Sequence, residues 1–414
     1  RTGGWGFAVG CRRGRASRKI LPAKSGGIAI PPLCGHHMEM DEAQPNARHV
    51  VGCMTGTSLD ALDAVLTRIV GTGLDMTAEF VGMHSVDLPD DLRATLLSMT
   101  NGEAHPPLEY LRAARHVGVF HAQAVADLIQ RFPGEHVDFV VPHGQTIWHA
   151  PDDTISWQLF DPWPIVHSLK LPVCYDLRQA DLVAGGEGAP ITPLADWVMY
   201  RHDADVVINL GGVANLTVLG AQATDIEGFD QGPCNLMLDG LCQALFDERY
   251  DRDGLHALAG RVDPEVLSVM RAAVDAISRD GSKGREQYST RWSSQLASAC
   301  LKTASAEDVL RSAVHLVATH TTAYPKERGC QHWVLGGGGV RNRVLMQELR
   351  GQSGSAQVQA SDDLGIPAEA REAMGFAVLG ALSADGVPIT LPQVTGSTSP
   401  GVAGLWAYPE GPKR

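Results

Sequence analysis

The residue types best suited to chemistry gather in a few short stretches. GTSLDALD, residues 56–63, sets small and hydroxyl-bearing residues before two carboxylates. Backbone N–H groups and hydroxyls in such a loop can wrap polyphosphate oxygens, because glycine permits close backbone approach. Asp60 and Asp63 are candidates to hold Mg2+ directly or through water, since that ion prefers carboxylate oxygens and keeps several waters. An ordinary hairpin turn explains the same letters. NLGGVANLT (209–217) is a second glycine turn, and LGGGGVRN (335–342) is a third that leads into a helical pattern. A helix start offers free N–H donors and partial positive charge, which suits a phosphate or a flat purine. No G-x-x-x-x-G-K-[ST] loop occurs, and GGGG at 336–339 lacks the dinucleotide-loop spacing. GFDQGPCN (228–235) places one carboxylate, Asp230, in a setting of Gly, Pro and Cys that looks too irregular for a helix or a strand. Read locally, Asp230 is a turn residue.

Apolar runs alternating with helical patterns must position these stretches, which is the α/β signature. HVVGCM and ALDAVLTRI read as a strand pair with the turn TGTSLD, residues 55–60, at its tip. ADVVINLGGVANLTVLG repeats that arrangement in a second unit, which suggests a duplicated architecture. Residues 108–132 form the longest helical pattern, with Leu111, Ala114, Val117, Val119 and Ala122 as its apolar stripe. VDFVVPHGQT and LPVCYDLRQAD read as buried strands ending in polar residues. HWVLGGGGVRNRVLMQEL is strand, glycine loop, helix, and IPAEAREAMGFAVLGALSA is an amphipathic helix. Met237, Leu241, Ala244 and Leu245 share one helical face, so Asp230 is expected just before a helix start, where the dipole favours its ionised form.

At 414 residues the chain exceeds one ordinary core. The expected organisation is a first domain over 48–203 and a second over 204–414, with the C-terminal helix free to pack back on the first. Formal net charge −13 argues against a nucleic-acid or anionic-membrane partner, so any anionic substrate needs a local site. Eight cysteines without a C-x-x-C pair indicate neither a zinc ribbon nor a disulfide framework, and fit a reduced, cytoplasmic setting. The first 37 residues hold seven Arg or Lys and no acid. Residues 1–47 read as a disordered tail or a mis-called start, with Met38 and Met40 as alternatives, in preference to a transit peptide.

MTGTSLDALDAVL, PHGQTIWHAP, YDLRQADLVAGGEGAPITP, NLGGVANLT, GFDQGPCNLMLDG, GGGGVRNRVLM and IPAEAREAMGFAVLGAL follow one another from Met54 to Leu382, and the likeness they carry covers about residues 49–407. In that order they resemble the anhydro-N-acetylmuramic acid kinases of the actin-like ATPase superfamily. The resemblance implies a two-lobed actin-like (ribonuclease H-like) fold, with mixed sheets flanked by helices and ATP clamped between paired hairpins. It implies ATP and Mg2+ as cofactors, 1,6-anhydro-N-acetylmuramic acid as small-molecule substrate and a homodimer. It makes Asp230 the catalytic base and assigns ATP to Gly56, Thr57, Ser58, Leu59, Asp60, Ala61, Leu62, Asp63, Gly211, Gly212, Asn215, Gly337, Gly338 and Asn342, with Asp60 on the metal side. Gln145, Thr146, Arg178, Asp181 and Glu372 go to the sugar; Arg178 reads equally well as an i,i+3 partner of Asp181. His143 is either an acid or base or a cap on a strand end. The chain departs from the family pattern at Ala61 and Cys234, where glycine is usual, and at Glu187, where glutamine is usual.

Overall fold

A computed structural model describes residues 47–56, 59–277 and 288–409. The basic leader and the expectations for Thr57 and Ser58 lie outside them.

The first strand pair forms as its apolar runs require. β1 (Ala47–Thr55) and β2 (Ala61–Val70) pair antiparallel, with Cys53 opposite Ala64, and β3 (Thr77–Asp87) continues the meander. After α1 (Asp90–Thr100) and α2 (Pro107–Arg131), β4 (Phe139–Pro142) returns parallel to β1. A small hairpin, β5 (Gln145–Ala150) with β6 (Ile155–Leu159), stands apart from the sheet. Then follow α3 (Trp163–Leu169), β7 (Val173–Tyr175) parallel to β4, α4 (Gln179–Val183) and α5 (Pro193–Tyr200).

The same plan then recurs. β8 (Val206–Leu210), β9 (Val213–Val218) and β10 (Glu227–Pro233) make a second antiparallel meander. Helices α6 (Asn235–Phe246), α7 (Leu255–Ala259), α8 (Pro264–Asp275), α9 (Thr290–Cys300) and α10 (Ala306–Glu327) intervene. β11 (His332–Gly336) pairs parallel to β8, and α11 (Arg343–Gln352) leads to β12 (Gln357–Ala360), parallel to β11. Finally α12 (Arg371–Ala384) and α13 (Pro392–Thr395) return the chain to β13 (Leu405–Ala407), which pairs with β7. The sheet orders, β13-β7-β4-β1-β2-β3 and β10-β9-β8-β11-β12, share one topology. Each has a meander whose first strand takes a parallel neighbour on its other side.

Two helices pack differently from their sequence pattern. On α2 the buried side is Ala113, Val117, His121, Ala122, Ala124, Val125 and Leu128, so Val117 and Ala122 of the expected stripe are buried, while its Leu111 and Val119 face outward. The expectation failed at Leu111 and Val119, because a helix rich in alanine offers several apolar lines at once. α12 is not amphipathic, since every residue from Ala373 to Ser383 is buried. An all-round apolar helix belongs in an interior, and α12 lies against β1, where a Cβ at Gly52 would sit 1.8 Å from the Ala373 carbonyl oxygen. Only glycine permits that approach. Among the described residues, no helix is long and apolar enough to cross a membrane.

Candidate active site

The second glycine hairpin is built into its surroundings by backbone bonds. Gly211 O accepts from Asn235 N at 3.1 Å, and Gly212 O accepts from Cys234 N and Leu236 N at 3.0 Å each. The first amides of α6 therefore hold the hairpin. The third glycine loop rests on the same structure. Gly337, at φ 80°, would bring a Cβ within 2.4 Å of Asn209 Oδ1, and a Cβ at Gly339 would meet Leu210 Cβ at 2.6 Å. Gly338 lies beside Asn235, whose Nδ2 donates to Leu210 O at 2.9 Å. Asn342 caps α11, its Oδ1 accepting from Val344 N and Leu345 N at 3.1 and 3.0 Å.

Asp230 is not a turn residue. It lies within β10 opposite Asn215, and the irregular letters after it form a bulge that skips Gln231 between Asp230 and Gly232. Nor does it sit at a helix start, since the residue preceding α6 is Cys234. Asn215 in turn faces Asn209 on β8, and Asn209 faces Gly336 on β11. Directly opposed residues project from one face of a sheet, so Asp230, Asn215 and Asn209 form a cross-strand row that ends beside the glycine loop. With strands about 4.8 Å apart, the row spans about 10 Å from Asp230 to Asn209. Burial, followed by the charge of Asp230, pushes the Tyr288 phenol up to about 12. Tyr288 therefore keeps its proton at neutral pH.

A second polar group faces this row from the first sheet. His143, just beyond β4, donates from Nδ1 to Gly144 O at 2.9 Å. Its Nε2 accepts from Arg178 Nε at 3.1 Å and lies 3.0 Å from the Nη2 atom. Arg178 Nη1 donates to Gly188 O at 2.8 Å, so its partners are His143 and a loop carbonyl and not the Asp181 carboxylate. Burial, then the Arg178 charge, brings His143 down to about 3. A ring that stays neutral down to that pH is no acid at pH 7; it accepts from Arg178 and orients it. Burial lowers Arg178 to about 10, against the charge of Glu372, so the guanidinium stays cationic. Glu372 at the start of α12 accepts from Asn209 Nδ2 at 3.1 Å. Its pKa is raised by burial, opposed by Arg371 and Arg178 and reinforced by Asp196 and Asp63.

The His143 shift predicts a pH effect. An unfolded histidine takes up a proton near pH 6.5, but the folded ring refuses it until about pH 3. The unfolded state thus binds more protons in that window, so stability falls as pH falls through it. Replacing His143 by asparagine should flatten the decline of the urea midpoint between pH 6.5 and 4.5; an unchanged slope contradicts the assignment.

The first hairpin tip reaches a different group. Leu59 occupies the left-handed region at φ 56° with its side chain buried, and its N–H donates to Gly56 O at 3.1 Å. Asp60 is engaged by Arg249, in the segment after α6, and more loosely by Arg93 of α1 at 3.5 Å. Asp239 on α6 joins them. Burial first, with Asp60 adding to it and Arg249 opposing, lifts Asp239 to about 7. Two carboxylates brought together in this way are the donor type that Mg2+ prefers. Asp63 on β2 has its pKa raised by burial and by Glu369, against a hydrogen bond from Ser85.

The remaining sugar candidates divide. Gln145 is buried toward Thr55, Leu92, Val117 and His121, and Thr146 receives Gln158 Nε2 at 3.4 Å. Asp181 is buried with both oxygens engaged, by Gly188 N at 2.8 Å and Thr395 Oγ1 at 2.7 Å, and so fixes the loop whose carbonyl holds Arg178. Ala61 opens β2 opposite Asp87 and needs no glycine conformation. Cys234 is fully buried, and Glu187 is exposed with its N–H on Thr395 O at 2.9 Å. Sequence reasoning missed Asn209, Asp239, Arg249 and Tyr288 as site residues. A lone carboxylate inside the apolar run LMLDGL was a usable signal for Asp239, whereas Tyr288 and Arg249 stand in stretches that carry none.

The family model described as anhydro-N-acetylmuramic acid kinase matches residues 48–409. A relative from Salinibacter ruber named anhydro-N-acetylmuramic acid kinase is 34% identical over 85% of this chain and 94% of its own. One of the same name from Bordetella avium is 33% identical over 87% of this chain and 96% of its own. Among solved structures, the activator of 2-hydroxyisocaproyl-CoA dehydratase from Clostridium difficile with bound ADPNP covers 82% of this chain and 96% of its own, at 12% identity and a TM-score of 0.44, too distant to carry an argument. The chain belongs to the anhydro-N-acetylmuramic acid kinase family.

Proposed function

We propose that this protein uses ATP to phosphorylate O6 of 1,6-anhydro-N-acetylmuramic acid while water opens the 1,6-bridge, a step in the recycling of cell-wall sugars. The observation that carries the reading is the cross-strand row, which aligns Asp230 with the glycine loops at the other end of one sheet face.

In the substrate O6 is bonded to C1, so no free hydroxyl is available to attack ATP. Water adds to C1 and its proton passes to the Asp230 carboxylate. The C1–O6 bond breaks, O6 bonds to the γ-phosphorus and the bond to the β-phosphate oxygen breaks, giving ADP. No separate acid is required, because the phosphoryl group captures the leaving oxygen. Arg178, held cationic and oriented by His143, binds the lactyl carboxylate through its N–H fork. Mg2+, when bound, offsets the charge of the phosphates. Asp60 and Asp239 would be the carboxylates to hold it, beside Arg249. The two sheets close on the substrates as lobes, 48–203 and 204–414, with α12 and β13 joining the first; closure excludes bulk water. A homodimer and a cytoplasmic location complete the reading.

Turnover of the anhydro sugar with ATP in 18O-labelled water tests it. Label should appear at C1 of the phosphorylated product and not in its phosphate. A free amino sugar accepted in place of the anhydro form overturns the substrate, and unlabelled C1 overturns the mechanism.

A further inference from the structure

The hub between the two halves of the site is a residue so far given no role. Asn209 is 5% exposed, at the end of β8. Its Nδ2 donates to Glu372, and Glu372 feels the charge of Arg178 in turn. On the opposite side its amide is lined by glycine. A Cβ at Gly211 would lie 3.3 Å from Nδ2, and one at Gly337 only 2.4 Å from Oδ1. These two glycines belong to different loops, the second hairpin and the loop before α11, and both lie on this one amide. The Oδ1 atom itself is buried without a hydrogen-bond partner. A buried acceptor without a donor costs roughly 1–3 kcal/mol, and this one is aimed into the two loops whose glycines the family resemblance gives to ATP.

We propose that Asn209 is a positioning residue that couples the nucleotide site to the sugar site, its Oδ1 taking an O–H donor of the bound nucleotide complex and its Nδ2 thereby fixing Glu372. The donor is a ribose hydroxyl or a water on the nucleotide's metal; both offer the same O–H. An amide is planar, so a hydrogen bond at one end sets the direction of the other. Without nucleotide the amide is restrained only by Glu372; with it the amide is held from both sides. Sugar binding then no longer bears the whole cost of ordering the pair, which is positive coupling. The row Asp230–Asn215–Asn209 would transmit the same ordering toward the base.

This inference rests on the proposed function, and calorimetry on the full chain separates the two. The anhydro sugar is titrated with and without a non-hydrolysable ATP analogue, each with Mg2+ and with EDTA. In the unaltered protein the analogue should tighten sugar binding about tenfold, within the usual 5- to 150-fold range of coupling. Loss of that factor in EDTA alone identifies the metal-held water as donor; its persistence identifies the ribose. In Asn209→Ala and in the isosteric Asn209→Asp, which turns an oxygen toward Glu372, the factor should fall below twofold. A retained factor in either folded variant overturns the coupling role. Hydrogen exchange on the unaltered protein provides an arm independent of variants: the sugar alone should slow exchange at residues 336–340, and no change there counts against the link. Failure of the unaltered protein to bind or convert the anhydro sugar overturns the proposed function instead.

Discussion

Replacing Asp230 by asparagine should lower kcat by a factor of about 10²–10⁴, the usual worth of a positioned general base, and leave the dissociation constant of ATP within threefold. The side chain keeps its shape and its place opposite Asn215, so β10 and its bulge should survive, with an unchanged melting temperature. Loss of the carboxylate removes the acceptor for the proton of the attacking water. A kcat within a factor of three of the parent in a single-turnover assay refutes the assignment. Equal loss of ATP affinity would show instead that Asp230 organises the hairpins.

Replacing Asp196 by alanine should be the most damaging structural change near the site. The carboxylate meets Arg371 Nη2 with both oxygens at 2.5 Å, and the two side chains are 1% and 2% exposed. Thr217 Oγ1 adds a third bond at 2.8 Å. The cluster thus ties α5, β9 and α12 together. Removing one partner strands a buried guanidinium, which costs about 3–5 kcal/mol. The exposed Arg68–Glu79 pair on β2 and β3, 2.8 Å apart, is the control, and Glu79→Ala should cost under about 1 kcal/mol. Urea denaturation of both variants reads the contrast; similar losses refute the importance of burial.

The architecture was legible wherever local pattern and tertiary need coincide. Both strand pairs, the helix before β4 and the strand–glycine–helix unit near the C-terminus formed where the apolar runs and glycines placed them. Legibility failed where a pattern admits several solutions. Leu111 and Val119 are as apolar as Val117, and only neighbouring elements decide which side of α2 is buried. The stretch around Asp230 looked like a turn because a bulge uses turn letters within a strand. Individual glycines and acids of the site stood out by residue type, but their pairing did not. That His143 serves Arg178, and that Asn209 serves Glu372, depends on contacts across 35 and 163 positions. No spacing rule reaches that far.

Burial of α12 on all sides has a mechanical consequence. A helix with one solvent face can roll to absorb movement of its neighbours, whereas this one is keyed: Gly52 accepts the Ala373 carbonyl, and a Cβ at Gly380 would stand 2.3 Å from Val141. Rotation about its axis would drive side chains into both notches. Displacement of the first sheet would therefore pass along α12 as a push or pull on Arg371 and Glu372, reaching the second sheet through Asp196, which holds Thr217 of β9, and directly at Asn209.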